Sequence, residues 1–167
     1  MEYAKTIDGS SAKEAIGIMM TDEFAHAFAE AIPVELLEVD LAEESTGTWR
    51  RVMECHFNTS GLDMPSLARA FLPNEVSLTW DETWTVQSDD SASSELHVTI
   101  AGSPSAHTRG HVVLSSDSGR IGYRYKGQTT VDVPFVGGRL GGLVDDHLVG
   151  GILDDLLDVL ATMTAST

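Results

Sequence analysis

The sequence predicts an α+β protein in which seven antiparallel strands form a curved sheet covered by one long C-terminal helix. Three observations carry this. An alternation of apolar and polar residues with period two runs, with breaks, from Val34 to Val133. An apolar stripe at helical spacing runs from Leu140 to Met163, and two short helical stretches follow the first strand. A sheet with one apolar face needs a large element to bury it, and a helix of about 25 residues, about 40 Å long at 1.5 Å per residue, reaches across a whole sheet.

Taken in order, Glu2 to Asp8 reads as the first strand, ended by Gly9-Ser10-Ser11. Ser11 and Glu14 have capping-box spacing and open a helix over Ala12 to Met20. Thr21 caps a second helix, whose Phe24, Phe28, Ala31 and Ile32 share one face until Pro33 stops it. Strand breaks fall at Ser45-Thr46-Gly47, Ser88-Asp89-Asp90-Ser91, Gly102-Ser103-Pro104 and Asp117-Ser118-Gly119, giving six further strands. Met64 to Phe71, between Asp63-Met64-Pro65 and Pro73, is expected as a short helix or lid after the third strand. In the last helix Leu140, Leu143, Val144, His147, Leu148, Ile152, Leu156, Val159, Leu160 and Met163 form the stripe. Asp145, Asp146, Asp154, Asp155 and Asp158 read as its solvated face. Gly137-Gly138, Gly141-Gly142 and Gly150-Gly151 are unusual in a helix. They either permit close approach to the sheet, leave room for a ligand, or set the helix start later.

The 167 residues make one domain by the usual prior of about 100 to 200 residues each. With 42% hydrophobic and 22% charged residues, disorder and membrane spanning are disfavoured. Ten Lys and Arg against 26 Asp and Glu leave a net charge of -16, which repels nucleic acid and anionic lipid. The final helix is too charged to insert stably in a membrane. A single cysteine, Cys55, excludes an intramolecular disulfide and a Cys-x-x-Cys metal site. The first residues have neither a basic start nor an apolar run, so the expected address is the cytoplasm.

Trp80-Asp81-Glu82-Thr83-Trp84, Ala101-Gly102-Ser103-Pro104 and Val133-Pro134-Phe135-Val136-Gly137-Gly138-Arg139-Leu140 resemble the landmarks of an uncharacterised bacterial family. That family lies within the START and polyketide-cyclase-like helix-grip superfamily. The order of elements is similar to that superfamily over essentially the whole chain. The resemblance implies a helix-grip fold with an apolar cavity, and it leaves the chemistry open, because the superfamily includes lipid carriers, receptors and cyclases.

The strand Val76 to Val86 is the most informative. Its even positions are Val76, Leu78, Trp80, Glu82, Trp84 and Val86, so alternation points the Glu82 carboxylate inward between two indoles. An unpaired charge there costs several kcal/mol and has to be protonated, paired or wetted. The preceding strand repeats the pattern, with Arg51 the lone polar residue among Trp49, Met53, Cys55 and Phe57. A meander makes these strands neighbours, so Arg51 and Glu82 are expected to meet as a buried structural pair or as the polar end of a ligand pocket. Tyr123 and Tyr125 share a face with Ile121 on the last strand, and are either core or, with Trp49, Trp80 and Trp84, pocket walls.

His147 on the apolar stripe is either a satisfied core histidine or a proton carrier, and Glu82 is the other weak candidate for catalysis. His107 and His111 lie four residues apart on one strand face, about 13 Å, too far to chelate one metal. Cys55 reads as an inert buried thiol. No nucleophile elbow, phosphate loop, dinucleotide fingerprint or calcium loop is present, and no cofactor or metal is implied.

The function these readings favour is binding of a hydrophobic or amphipathic small molecule between the concave sheet and the C-terminal helix. Met64 to Phe71 and the turn Gly102 to Ser105 are placed at the mouth. One alternative is a cyclase or dehydratase acting on an oxygenated aromatic or acyl substrate through Glu82 or His147. The other is a partner-binding domain whose cavity is filled by its own side chains.

Overall fold

Ser11 and Thr21 begin their helices as their positions require. In the computed structural model, which describes all residues except 33, 62–64, 72, 103–104 and 167, Ser11 Oγ accepts from Glu14 N at 3.1 Å. This opens α1 (Ala12–Met19). Thr21 Oγ1 accepts from Phe24 N at 3.2 Å and opens α2 (Asp22–Ala31). Both helices follow β1 (Glu2–Asp8).

The remaining strands are β2 (Glu35–Ser45), β3 (Thr48–Asn58), β4 (Glu75–Ser88), β5 (Ser91–Ala101), β6 (Ala106–Asp117) and β7 (Arg120–Val131). They form one antiparallel sheet in the order β1-β7-β6-β5-β4-β3-β2. From β2 onward each strand pairs with the next in the chain, and β1 returns to close beside β7. A short helix, α3 (Ser66–Phe71), interrupts the meander between β3 and β4. The C-terminal helix runs from α4 (Gly137–Val144) through a π turn (Asp145–Val149) into α5 (Gly150–Ala165). Seven strands, two short helices after the first, and one long helix match the sequence expectation.

The alternating residues of β4 face inward with those of its neighbours, and α1, α2 and α5 pack against them in one core. At β7 the approach is closer. A Cβ at Gly137 would overlap the carbonyl oxygen of Val131, and one at Gly141 that of Thr129. Two glycines four residues apart therefore let the α4 backbone rest on the strand. Asp145 comes next at the same spacing and is only 5% exposed, which corrects its assignment to the solvated face. The column Gly137, Gly141, Asp145 is aimed at β7, and an apolar-stripe count passes over it. The Asp145 carboxylate accepts from Thr129 N at 3.2 Å and from Thr129 Oγ1 at 2.6 Å. Asp154 and Asp158 do face water, where both pair with Lys5 at 3.0 and 2.8 Å.

His147 also departs from its expected place, because it is exposed. Straight helical counting puts it on the stripe. A π turn bonds i to i+5 and takes up an extra residue, which rotates 146–147 outward while Val144 and Leu153 stay buried.

Candidate functional site

Arg51 and Glu82 lie directly opposite each other in the β3–β4 ladder. Both side chains leave water almost completely, at 0% and 3% exposure. Arg51 Nη2 stands 2.5 Å from Glu82 Oε1, an ion-pair contact without the angles of a hydrogen bond. Arg51 Nη1 donates to the carbonyl of Met19 at 2.7 Å, at the C-terminal end of α1 where the helix dipole favours a cation. The guanidinium carbon sits 5.0 Å from the ring centre of Phe24, so a third side of the charge is met by an aromatic face. Trp84 and Tyr123 complete a packed surround. Burial, and then the carboxylate of Glu82, hold the Tyr123 phenol well above its ordinary range.

From this cluster an aromatic row runs along the concave face. Phe24 stacks on Phe28 at 6.2 Å, and Phe28 meets Trp80 edge to face at 5.4 Å. Beyond Trp80 the packing opens into a cavity of about 240 Å³ between the sheet and the C-terminal helix. Its sheet wall is Phe57, Leu78, Trp80, Leu96, Val98 and Ile100, with Thr108 beside them. Ile32 and Val34 border it where α2 passes to β2, and Val144, Leu148, Val149, Ile152 and Leu153 form the helix wall. His147, Gly151 and Asp155 also line it, and the first two are exposed, so this side faces the mouth. Burial, reinforced by Asp158 and Asp154, raises the Asp155 carboxyl above its ordinary value.

Two polar features belong to this end. Trp80 Nε1 is buried with no hydrogen-bond partner among the described residues. Thr108 Oγ1 lies 2.7 Å from Thr129 Oγ1, which itself donates to Asp145. A continuous hydroxyl chain thus links the cavity wall to the π turn.

The chain matches, over residues 3–156, the model of a family described as "Protein of unknown function (DUF2505)". It belongs to that family. No curated protein matches it. Among solved structures, the DUF2505 chain is similar to the Zhui aromatase/cyclase from Streptomyces sp. R1128, at 14% identity and TM-score 0.54, over 99% of this chain and 96% of that one. It is similar to truncated norcoclaurine synthase from Thalictrum flavum, at 10% identity and TM-score 0.51, over 100% and 93%. It is also similar to the di-domain aromatase/cyclase BexL of the BE-7585A biosynthetic pathway, at 12% identity and TM-score 0.55, over 97% and 49%. At these identities the likeness is one of fold, and the fold is the helix grip.

Within this DUF2505 member the sequence-predicted site residues divide. Trp80 and His147 line the cavity. Arg51, Glu82, Trp84 and Tyr123 come together in the packed cluster instead, and none of them is a lining residue of the cavity. Tyr125 is buried where Gly110 and Gly127 leave room for its ring, as a Cβ at either glycine would overlap it. Trp49 is half-buried near the β2–β3 hairpin, beside Ile16 and Met20. Of the segments expected at the mouth, α3 packs its Leu67 and Phe71 with Val131 and Leu140. Met64, Ser103 and Pro104 lie outside the described residues. Sequence reasoning missed Thr108, although a hydroxyl among the inward Ala106, Gly110, Val112 and Leu114 of β6 is the same kind of signal that singled out Arg51 and Glu82.

Proposed function

We propose that this protein binds a small, largely apolar molecule in the cavity between the Trp80 end of the sheet and the C-terminal helix. The observation that carries this reading is the void itself, which the chain keeps open beside a tightly filled cluster on the same face. At about 240 Å³ it is larger than the roughly 150 Å³ that holds benzene and smaller than the roughly 300 to 1,000 Å³ of drug-sized sites, so it suits one or two rings. The aromatase/cyclase names of the neighbours support a small-molecule ligand as a class. The filled-core alternative describes only the Arg51 end. For the enzyme alternative, Glu82 is held by Arg51 within the packed cluster, and His147 sits at the rim of the cavity.

Native mass spectrometry of gently purified protein, with extraction of any retained compound, tests the proposal. The expected result is a discrete small-molecule adduct that disappears in Val98→Phe, which fills the cavity. Retention of the adduct by that variant would place the ligand elsewhere and overturn the reading.

A further inference from the structure

The open side of the cavity is formed by the C-terminal helix, which presents His147, Gly151 and Asp155 there, and no Lys or Arg lines the cavity among the described residues. Gly151 is exposed, and a Cβ on it would meet nothing within 4 Å, so the helix crosses the rim at that point without a side chain in the way. Asp155 comes three residues after Ile152 and four after Gly151, so the three share one helix face, and all three line the cavity. Beyond a single methylene its side chain is all carboxylate. That carboxylate makes no hydrogen bond or ion pair among the described residues. Asp154 and Asp158 hold Lys5 at 3.0 and 2.8 Å, so Lys5 is already engaged elsewhere. Burial first, then the like charges of Asp158 and Asp154, disfavour the charged form of Asp155. A cation brought to the rim offsets both penalties, whereas an anion brought there adds to them.

Resting on the binding function proposed above, we infer that Asp155 is the polar contact of the ligand, and that the ligand is an amphipathic amine with its apolar body in the cavity and its ammonium at the rim. The ammonium donates to the Asp155 carboxylate, a charge-assisted bond. His147 lies eight residues away, about 12 Å along the helix, so one small cation meets Asp155 alone. The carboxylate of an aromatic or fatty acid would face Asp155 with no cation at the rim to balance it.

Isothermal titration at pH 8 with three probes that share one ring system, 2-(2-naphthyl)ethylamine, 2-(2-naphthyl)ethanol and 2-naphthylacetic acid, tests the inference. The wild-type protein is expected to bind the amine about fivefold tighter than the alcohol, the upper range for an ion pair still open to water, and the acid more weakly than either. Asp155→Asn should remove the advantage of the amine and leave the alcohol within about twofold. Glu23→Gln, which deletes the same charge from the exposed start of α2, should leave that advantage in place. If the acid binds as well as the amine, if Asp155→Asn weakens amine and alcohol alike, or if Glu23→Gln removes the advantage equally, the amine assignment is refuted and the cavity reading stands. If none of the three probes binds, the cavity reading falls as well.

Discussion

The two ends of the concave face are covered in different ways. At the Arg51 end, α1 and α2 close over the sheet, and the guanidinium is consumed by a carboxylate, a helix carbonyl and a phenylalanine ring. At the Trp80 end, the π turn and the start of α5 stand off from the strands, and a cavity remains. The same strands, β3 and β4, supply both ends. The difference teaches that an inward polar residue does not mark a site by itself; what covers the strand at that rung decides whether it becomes packing or pocket.

The largest test of this contrast is Glu82→Gln, which leaves the Arg51 charge buried without its counter-charge. Urea unfolding should show a loss of about 3 to 5 kcal/mol, with the small-molecule adduct still retained by the folded protein. A parallel loss of binding would move the site to the ion pair. Side-chain enlargement gives the next effect. Ala92, fully buried on β5 near the packed cluster, has no room to grow, so Ala92→Leu should cost about 1 to 3 kcal/mol. Val98→Phe adds more atoms at the open end and should change stability by less than about 1 kcal/mol while excluding the probe. Equal costs at both positions would erase the distinction between the two ends.

Alkaline pH adds a test through two buried acids of the core. Burial, then Asp145, pushes the Tyr125 phenol up to about 12, and burial, then Glu54, pushes the Cys55 thiol up to about 11. Both stay neutral in the folded chain when the unfolded chain has begun to ionise. Their contribution is therefore whole below the ordinary values of 9.0 and 10.0 and is lost as pH rises through the folded ones. Tyr125→Phe should flatten the fall in stability between pH 10 and about 12, where one proton corresponds to about 1.4 kcal/mol per pH unit, and Thr108→Val should leave that limb as it is. The smallest effect belongs to the rim. His147→Ala should alter stability by no more than about 0.5 kcal/mol, and a larger loss in thermal unfolding would return the histidine to the core.

Much of this was legible beforehand. The caps at Ser11 and Thr21, the seven strands and the inward Arg51 and Glu82 all follow from local chemistry and period two, and a meander makes the two charged residues neighbours. Three features were not legible. Alternation says which face a residue takes but not what covers it, so the boundary between cluster and cavity was invisible. Helical counting assumes one bonding pattern throughout, so a π turn moved His147 and gave no warning. Thr108 carried the inward-polar signal, but its link through Thr129 to Asp145 could not be read, because the stripe had assigned Asp145 to water.

The pairing of β1 with β7 has a consequence for how the molecule is made. Every other ladder joins strands that follow one another along the chain, but β1 pairs with β7, the strand farthest from it in the sequence. Until β7 leaves the ribosome, Ile7 has no strand to lie against and Tyr3 lacks the Tyr123 ring it later meets at 6.3 Å. Joining them closes nearly the whole chain into one loop, a step whose entropy has to be met before its contacts return anything. A chain in which β1 has not joined the sheet presents an open β7 edge to its neighbours.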